Sequence, residues 1–283
     1  YVFSNIPNAN ALIGLIKLLS LKNFHLIVRE SNMPFEPLNH QITIKNFLNF
    51  ILRFFYFNAN LIICPSKQIL FSLKKILFFK NINKFVHMPN YIDYLYNQKK
   101  SKKLLKHKMY SSNYILNLSN VQFQKNIEFS IEAFRILLKK KPNYKLYIAG
   151  KIIQKKYYEK LKLIIKNYKI ENSVYFLGFK KNPFNIIKQS KLVICTSRWE
   201  GMPNSLLQSV SLNKKIVSLD CLSGPKEIKK MGFNISIVKR LAPKIFAQKM
   251  MRSIENKNKI NNFKKILEYN RKYFQKTKYV FNG

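Results

Sequence analysis

Acidic residues are scarce in this 283-residue chain: 12 Asp and Glu stand against 52 Lys and Arg, a formal net charge of +40. Chemistry that needs paired carboxylates therefore has few positions to draw on. The only aspartates are Asp93 and Asp220, which excludes an Asp-x-Asp metal pair. The cysteines Cys64, Cys195 and Cys221 and the histidines His25, His40, His87 and His107 show no metal-ligand spacing, so no metal site is expected. Cys64 and Cys195 close the apolar runs "LIICPS" and "LVICTS" and read as free thiols at strand ends. The longest apolar stretch, "FLNFILRFFYFNANLIIC" from Phe47, is broken by Asn49, Arg53, Asn58 and Asn60, which argues against a bilayer-spanning helix. A position on a membrane surface stays open.

What the chain does have is a hydrophobic content of 47%, ample for a packed core and more natural for two domains than for one. The excess of positive charge points formally to an anionic partner. Lys, Asn, Ile, Phe and Tyr are, however, abundant along the whole chain, as an AT-rich coding sequence produces, and no nucleic-acid recognition motif accompanies them. Drift on solvated faces is thus preferred to a nucleic-acid footprint. No signal peptide is visible, and the chain opens on Tyr1 in mid-pattern, so a lost N-terminus is expected.

Short β-rich runs alternate with segments of helical period, the mark of βα units on a parallel sheet. Strands are expected at 24–30, 59–66 and 84–90, with helices at 9–20, 43–57 and 67–79. A basic stretch at 97–108 reads as structureless, and after it the pattern restarts. Strands "YILNLS", "YKLYIAG", "SVYFLG", "KLVICTS" and "KIVSLD" alternate with helices at 127–140, 155–168, 182–189, 204–212 and 225–230, and a helical tail follows Asn261. The fold class is α/β, two doubly wound domains facing each other, with ligands expected at the carboxyl ends of the strands.

The informative residues lie where strands end and helices begin. In "SRWEGMPNSLLQSV" (197–210), Gly201 allows a tight bend, Pro203 fixes it and Asn204 is placed to cap the helix, whose first N–H groups suit a phosphate. "CLSGPKEI" repeats the device, with Gly224 at the turn, Pro225 at the first helical position and Glu227 in the first turn. "LSNVQFQKN" presents Ser119 and Lys125 toward the same edge. Each alone has an ordinary reading as a cap or a solvated lysine; their joint order favours a ligand site.

These segments resemble the retaining glycosyltransferases of the GT-B fold, the glycosyl transferases group 1 or family 4, over essentially the whole chain. The specific stretch is 177–228, whose "SRWEGMPNSLLQ" and "DCLSGPKEI" turns are similar to the family's donor-binding core; "VRESN" (28–32), "FNANLIICPSKQI", "MPNYID" (88–93) and "LSNVQFQKN" are weaker echoes. The resemblance implies two Rossmann-like domains. The acceptor side spans 1–106, incomplete at its N-terminus and completed by the tail helix 264–283, and the donor side spans 107–263.

The resemblance further implies that Glu200 contacts donor-sugar hydroxyls and that Lys125 neutralises charge on the departing diphosphate. Ser119, Asn120, Gly201, Met202, Pro203, Asn204, Ser205, Leu206 and Gln208 are the implied donor-binding set, and Glu30, Asn32 and Glu227 the candidates for acceptor or sugar contact. Two positions depart from the family. Gln208 stands where a second glutamate holds the ribose, and Ser119-Asn120 replaces a Gly-Arg that supplies a diphosphate cation; Lys180 and Lys181 lie near enough in pattern to compensate.

The implied reaction moves a hexosyl or N-acetylhexosaminyl group, with retention, from a nucleotide-diphosphate sugar, foremost a UDP-sugar, without metal. Glycan or lipid-linked acceptors of cell-surface polysaccharide or lipopolysaccharide, and no specific nucleic acid, are the implied partners. The location implied is cytoplasmic, peripheral on the inner face of the cytoplasmic membrane. The basic amphipathic segment 66–80 reads either as a membrane-surface helix or as an ordinary crossover helix. The alternatives are a non-catalytic nucleotide-binding subunit of the same fold and a basic nucleic-acid-binding protein. A truncated chain is expected to bind donor without necessarily turning it over.

Overall fold

Runs such as "LIIC", "LVIC" and "IVSL" are apolar on both faces, so each strand they form needs cover on both sides, which a parallel sheet with helices on its faces provides. The computed structural model describes residues 1–20, 23–34, 51–76, 83–102, 113–221, 223–239, 241–258 and 260–282. One parallel sheet contains β1 (Val2–Ser4), β2 (Leu26–Arg29), β3 (Leu61–Cys64) and β4 (Phe85–His87), in that spatial order. The other contains β5 (Tyr114–Leu118), β6 (Lys145–Ala149), β7 (Val174–Gly178), β8 (Leu192–Cys195), β9 (Ile216–Leu219) and β10 (Ser236–Val238). Its order, β10-β9-β8-β5-β6-β7, reverses at β5 and all its pairs are parallel. That reversal opens a crevice beyond the carboxyl ends of β5 and β8.

The helices are α1 (Pro7–Leu19), α2 (Lys67–Ile76), α3 (Tyr94–Ser101), α4 (Ile127–Leu138), α5 (Lys155–Asn167), α6 (Phe184–Gln189), α7 (Asn204–Ser211), α8 (Pro225–Lys230), α9 (Pro243–Glu255) and α10 (Phe263–Asn282). Alternate residues of the second sheet feed opposite cores. Ile115, Ile148, Ile194 and Val217 pack with α4, α5 and α9, whereas Leu116, Tyr147, Val193 and Ile216 pack with α6, α7 and α8. In the first half Ile69 and Leu73 of α2 are fully buried against Val28 and Ile62. The described part of the basic amphipathic segment is thus a crossover helix; residues 77–80 lie outside the described residues, as do 43–50, 103–108, His40 and His107.

Four differences from the sequence reading stand out. β1 is an additional strand, and β10 with α9 forms an additional unit before the tail. The stretch expected to be structureless is helical as far as Ser101. Asp93 caps that helix by accepting from Tyr96 N at 3.0 Å, and Asn97 and Gln98 hold it to Ser211. The tail helix α10 starts on the second half, with Ile266 and Tyr269 in its core, and ends on the first. There Tyr273 packs beside Ile27, Ile63 and Met88, and Lys276 donates to His87 O at 3.0 Å.

Candidate functional site

The turns after β5 and β8 meet at the bottom of a cleft of about 480 Å³. Gln124 donates to Trp199 O at 2.9 Å, Arg198 N donates to Gln124 O at 2.8 Å, and Thr196 donates to Lys125 O at 3.1 Å. These ties fix Lys125 opposite Glu200, with Nζ 2.6 Å from Oε1. Ser197 donates to the same carboxylate oxygen at 2.6 Å, and Oε2 has no hydrogen-bond partner among the described residues. Both side chains are largely shielded from water, which strengthens the pair relative to an exposed one. The pair can hold hydroxyls with its open carboxylate oxygen and an anion with its ammonium.

Beside it starts α7. Its first N–H groups, on Asn204 and Ser205, have no carbonyl one turn earlier in the helix, so together with the helix dipole they favour an anion. The expectation that Asn204 caps this helix is corrected. Pro203 occupies the cap, and Asn204 Oδ1 accepts instead from Asn90 Nδ2 of the facing half at 2.6 Å. Gly201 is demanded by proximity, since a Cβ there would sit 2.2 Å from Ser31 O. Gly224 adopts φ +74, and Pro225 opens α8 as expected. Ser223, just before Gly224, donates to Gly201 O at 2.9 Å, and its Oγ lies 2.7 Å from Ser66 Oγ of the first half, within hydrogen-bond distance.

Ser119, Asn120, Lys125, Glu200, Met202, Pro203, Asn204, Ser205, Gln208 and Asn32 all line this cleft. Gly201 lies behind its wall, and Leu206 is fully buried in the core. Two further candidates are elsewhere. Glu30 is fully buried, paired with Arg53 Nε at 3.0 Å and accepting from Tyr56 OH at 3.0 Å. Its N–H continues the ladder to Ile63 O, so side-chain alternation along the strand sends Arg29, not Glu30, to the cleft. Glu227 accepts from Lys67 N at 2.9 Å and Gln68 N at 3.2 Å, which makes it the cap of α2 in the facing half, with His87 Nε2 at 3.6 Å.

The sequence reading did not single out Arg29, Asn90, Gly150 or Phe179, which also border the cleft. Their common signal is that each follows or closes a strand. Gly150 has no room for a side chain: a Cβ would sit 2.2 Å from Ser119 O. Lys180 lines the cleft as well, but Asn120 spends its amide oxygen on Lys151 N at 2.9 Å. The three thiols are free and buried, and burial raises all of them, which makes them poor nucleophiles. Among the described residues there is no group of three or more His, Cys, Asp or Glu placed to hold a metal ion.

Two parallel α/β halves that meet at their carboxyl strand ends, with an anion-ready helix start and an acid-base pair between them, define the GT-B architecture. The sequence profile of the glycosyl transferases group 1 matches residues 97–271, and the chain belongs to that family. An uncharacterised glycosyltransferase of Methanocaldococcus jannaschii is 34% identical over 191 residues, 65% of this chain and 45% of the relative. The N-acetylgalactosamine-N,N'-diacetylbacillosaminyl-diphospho-undecaprenol 4-alpha-N-acetylgalactosaminyltransferase of Campylobacter jejuni is 27% identical over 237 residues, 81% of this chain and 59% of the relative. The chain thus spans about half the length of these curated relatives. The crystal structure of Anabaena HepE in complex with UDP and glucose superposes with a TM-score of 0.75 at 16% identity, covering 90% of this chain and 69% of that one.

Proposed function

We propose that this chain carries the donor site of a retaining glycosyltransferase that uses a UDP-sugar. The observation that carries the reading is the Lys125–Glu200 pair, at 2.6 Å, beside the open start of α7. The diphosphate sits at the N–H groups of Asn204 and Ser205 with Lys125 alongside, and Glu200 Oε2 accepts from hydroxyls of the sugar. As the bond from the anomeric carbon to the diphosphate oxygen breaks, the electron pair leaves with the nucleotide and Lys125 stabilises its charge. The acceptor hydroxyl bonds to the same face of that carbon, and its proton passes to the diphosphate oxygen.

The HepE complex supports UDP as the nucleotide, and the Campylobacter relative supports a lipid-linked acceptor. The division at residue 106, with α10 completing the first half, belongs to the same proposal. So does a cytoplasmic site at the inner membrane surface; among the described residues no helix is long and apolar enough to cross a membrane. A second reading, a nucleotide-binding subunit that transfers nothing, is favoured by the uncharged amides of Asn120 and Gln208 in the cleft.

Calorimetric titration with UDP and UDP-glucose tests the site. UDP is expected to bind, and at 100 times its dissociation constant to stabilise the fold by about 2.7 kcal/mol. Glu200→Gln is expected to weaken the sugar conjugate more than UDP. Equal affinity of the variant for both relative to wild type removes the sugar role of Glu200, and absence of UDP binding by folded wild type removes the donor site.

A further inference from the structure

The cleft is bordered by three cations, Lys125, Lys180 and Arg29. Lys125 is matched by Glu200. Arg29, the last residue of β2, enters from the opposite half, is half-buried and has no carboxylate partner among the described residues. Its guanidinium donates to Asn90 Oδ1 through Nη2 and to Ser31 Oγ through Nη1 at 3.3 Å, both neutral acceptors. Five N–H donors in a rigid fork are thus mostly uncommitted. Burial lowers its proton affinity, opposed by Tyr273 and Cys64, as for a cation that lacks its anion.

Its position relative to the helix start is the second observation. Asn90, which holds the guanidinium, donates across the cleft to Met202 O at 3.2 Å and to Asn204 Oδ1 at 2.6 Å. Arg29 therefore stands one side chain away from the first turn of α7, where a diphosphate has its N–H donors.

We infer that Arg29 is a phosphate-binding residue, meeting the nucleotide diphosphate from the first half while α7 and Lys125 meet it from the second. The inference rests on the donor-site reading above. It makes donor binding a bond between the two halves, and it supplies a cation in a site where Asn120 has none to offer. Arg29 also borders a second cavity of about 420 Å³ with Tyr91 and Tyr273 on its wall, so a phosphate on the acceptor is the competing ligand.

The test is titration of wild type, Arg29→Gln and Arg29→Lys with UDP and with uridine, by calorimetry and ligand-observed NMR at fixed ionic strength. Arg29→Gln is expected to weaken UDP about tenfold, the scale of one charge-assisted contact, with uridine unchanged. Arg29→Lys keeps the charge without the fork and is expected to recover part of the loss; should the glutamine variant fail to fold, the lysine variant alone carries the comparison. Unchanged UDP affinity in Arg29→Gln overturns the inference and leaves the donor site standing, pointing to the acceptor cavity. Equal losses for UDP and uridine reduce Arg29 to a structural role. A wild-type chain that binds neither overturns both readings together.

Discussion

Single residues set this cleft by contact as much as by charge. Gly201 touches the facing half: an added Cβ would meet Ser31 O at 2.2 Å and Ile69 Cδ1 at 3.2 Å. Gly178 has nothing within 4 Å but holds φ +66. Gly201→Ala is therefore expected to cost about 2–3 kcal/mol through overpacking and to weaken UDP binding by parting the halves. Gly178→Ala is expected to cost about 1 kcal/mol from backbone strain alone. Urea unfolding of both variants checks the order, and a reversed order removes the contact argument. At Gln208 the direction is opposite. A carboxylate there accepts a hydroxyl proton more strongly than an amide, so Gln208→Glu is expected to tighten UDP and uridine alike by about fivefold. A gain for uridine with a loss for UDP places residue 208 beside the diphosphate instead of the ribose.

Among the elements, α2 and α8 are joined by one carboxylate. Glu227 serves its own helix in the first turn, yet its oxygens accept from the opening N–H groups of α2, and Ser223–Ser66 fastens the same seam at 2.7 Å. Burial works against its charge, but His87 and the two N–H groups outweigh it and hold the carboxyl below its ordinary 4.5. The folded chain thus binds that proton less readily than the unfolded one. The stabilisation is complete above pH 4.5 and is lost as pH falls through the lower folded value. Glu227→Gln is expected to cost about 1–2 kcal/mol in urea unfolding at pH 7, with the difference shrinking below pH 4.5. An undiminished difference at pH 3 means that the amide geometry, not the charge, is responsible.

The sequence showed that Glu227 opens a helix, but not which helix start it caps, because that partner lies 160 residues away. The same limit explains α3. Its lysine run reads as a loop, and what makes it helical is the Asp93 cap together with contacts to Ser211. β1 and β10, at three residues each, are too short for alternation to show. Longer apolar runs such as those of β5, β6 and β8 were legible, and so was the turn that carries Glu200. At Glu30 the sequence marks a strand end, but which of two adjacent side chains faces the cleft depends on a register that only pairing with β3 fixes.

For the molecule as a whole, the charge balance has two opposing consequences. Glu30, Glu128, Glu159, Glu200, Asp220, Glu227, Glu255 and Glu268 each pair with a basic group, and the net +40 that remains after all twelve acids are counted is a surplus of cations with no acid to offset it. Lys214 shows the result locally, pushed down to about 8 by burial and by Lys188, Lys191 and Lys215. Screening this self-repulsion should favour the compact state, so raising NaCl from ~20 to ~200 mM is expected to raise the melting temperature, by about 2–4 °C for each kcal/mol relieved. The same salt is expected to weaken a diphosphate at the proposed Lys125 and Arg29 site, so UDP affinity should fall as stability rises. Opposite slopes assign the bulk of the charge to drift on solvated faces and a small part to the cleft. A random oligonucleotide that displaces UDP at equal charge concentration reverses that assignment, because it shows the surplus lysines converging on the site instead of being spread around it.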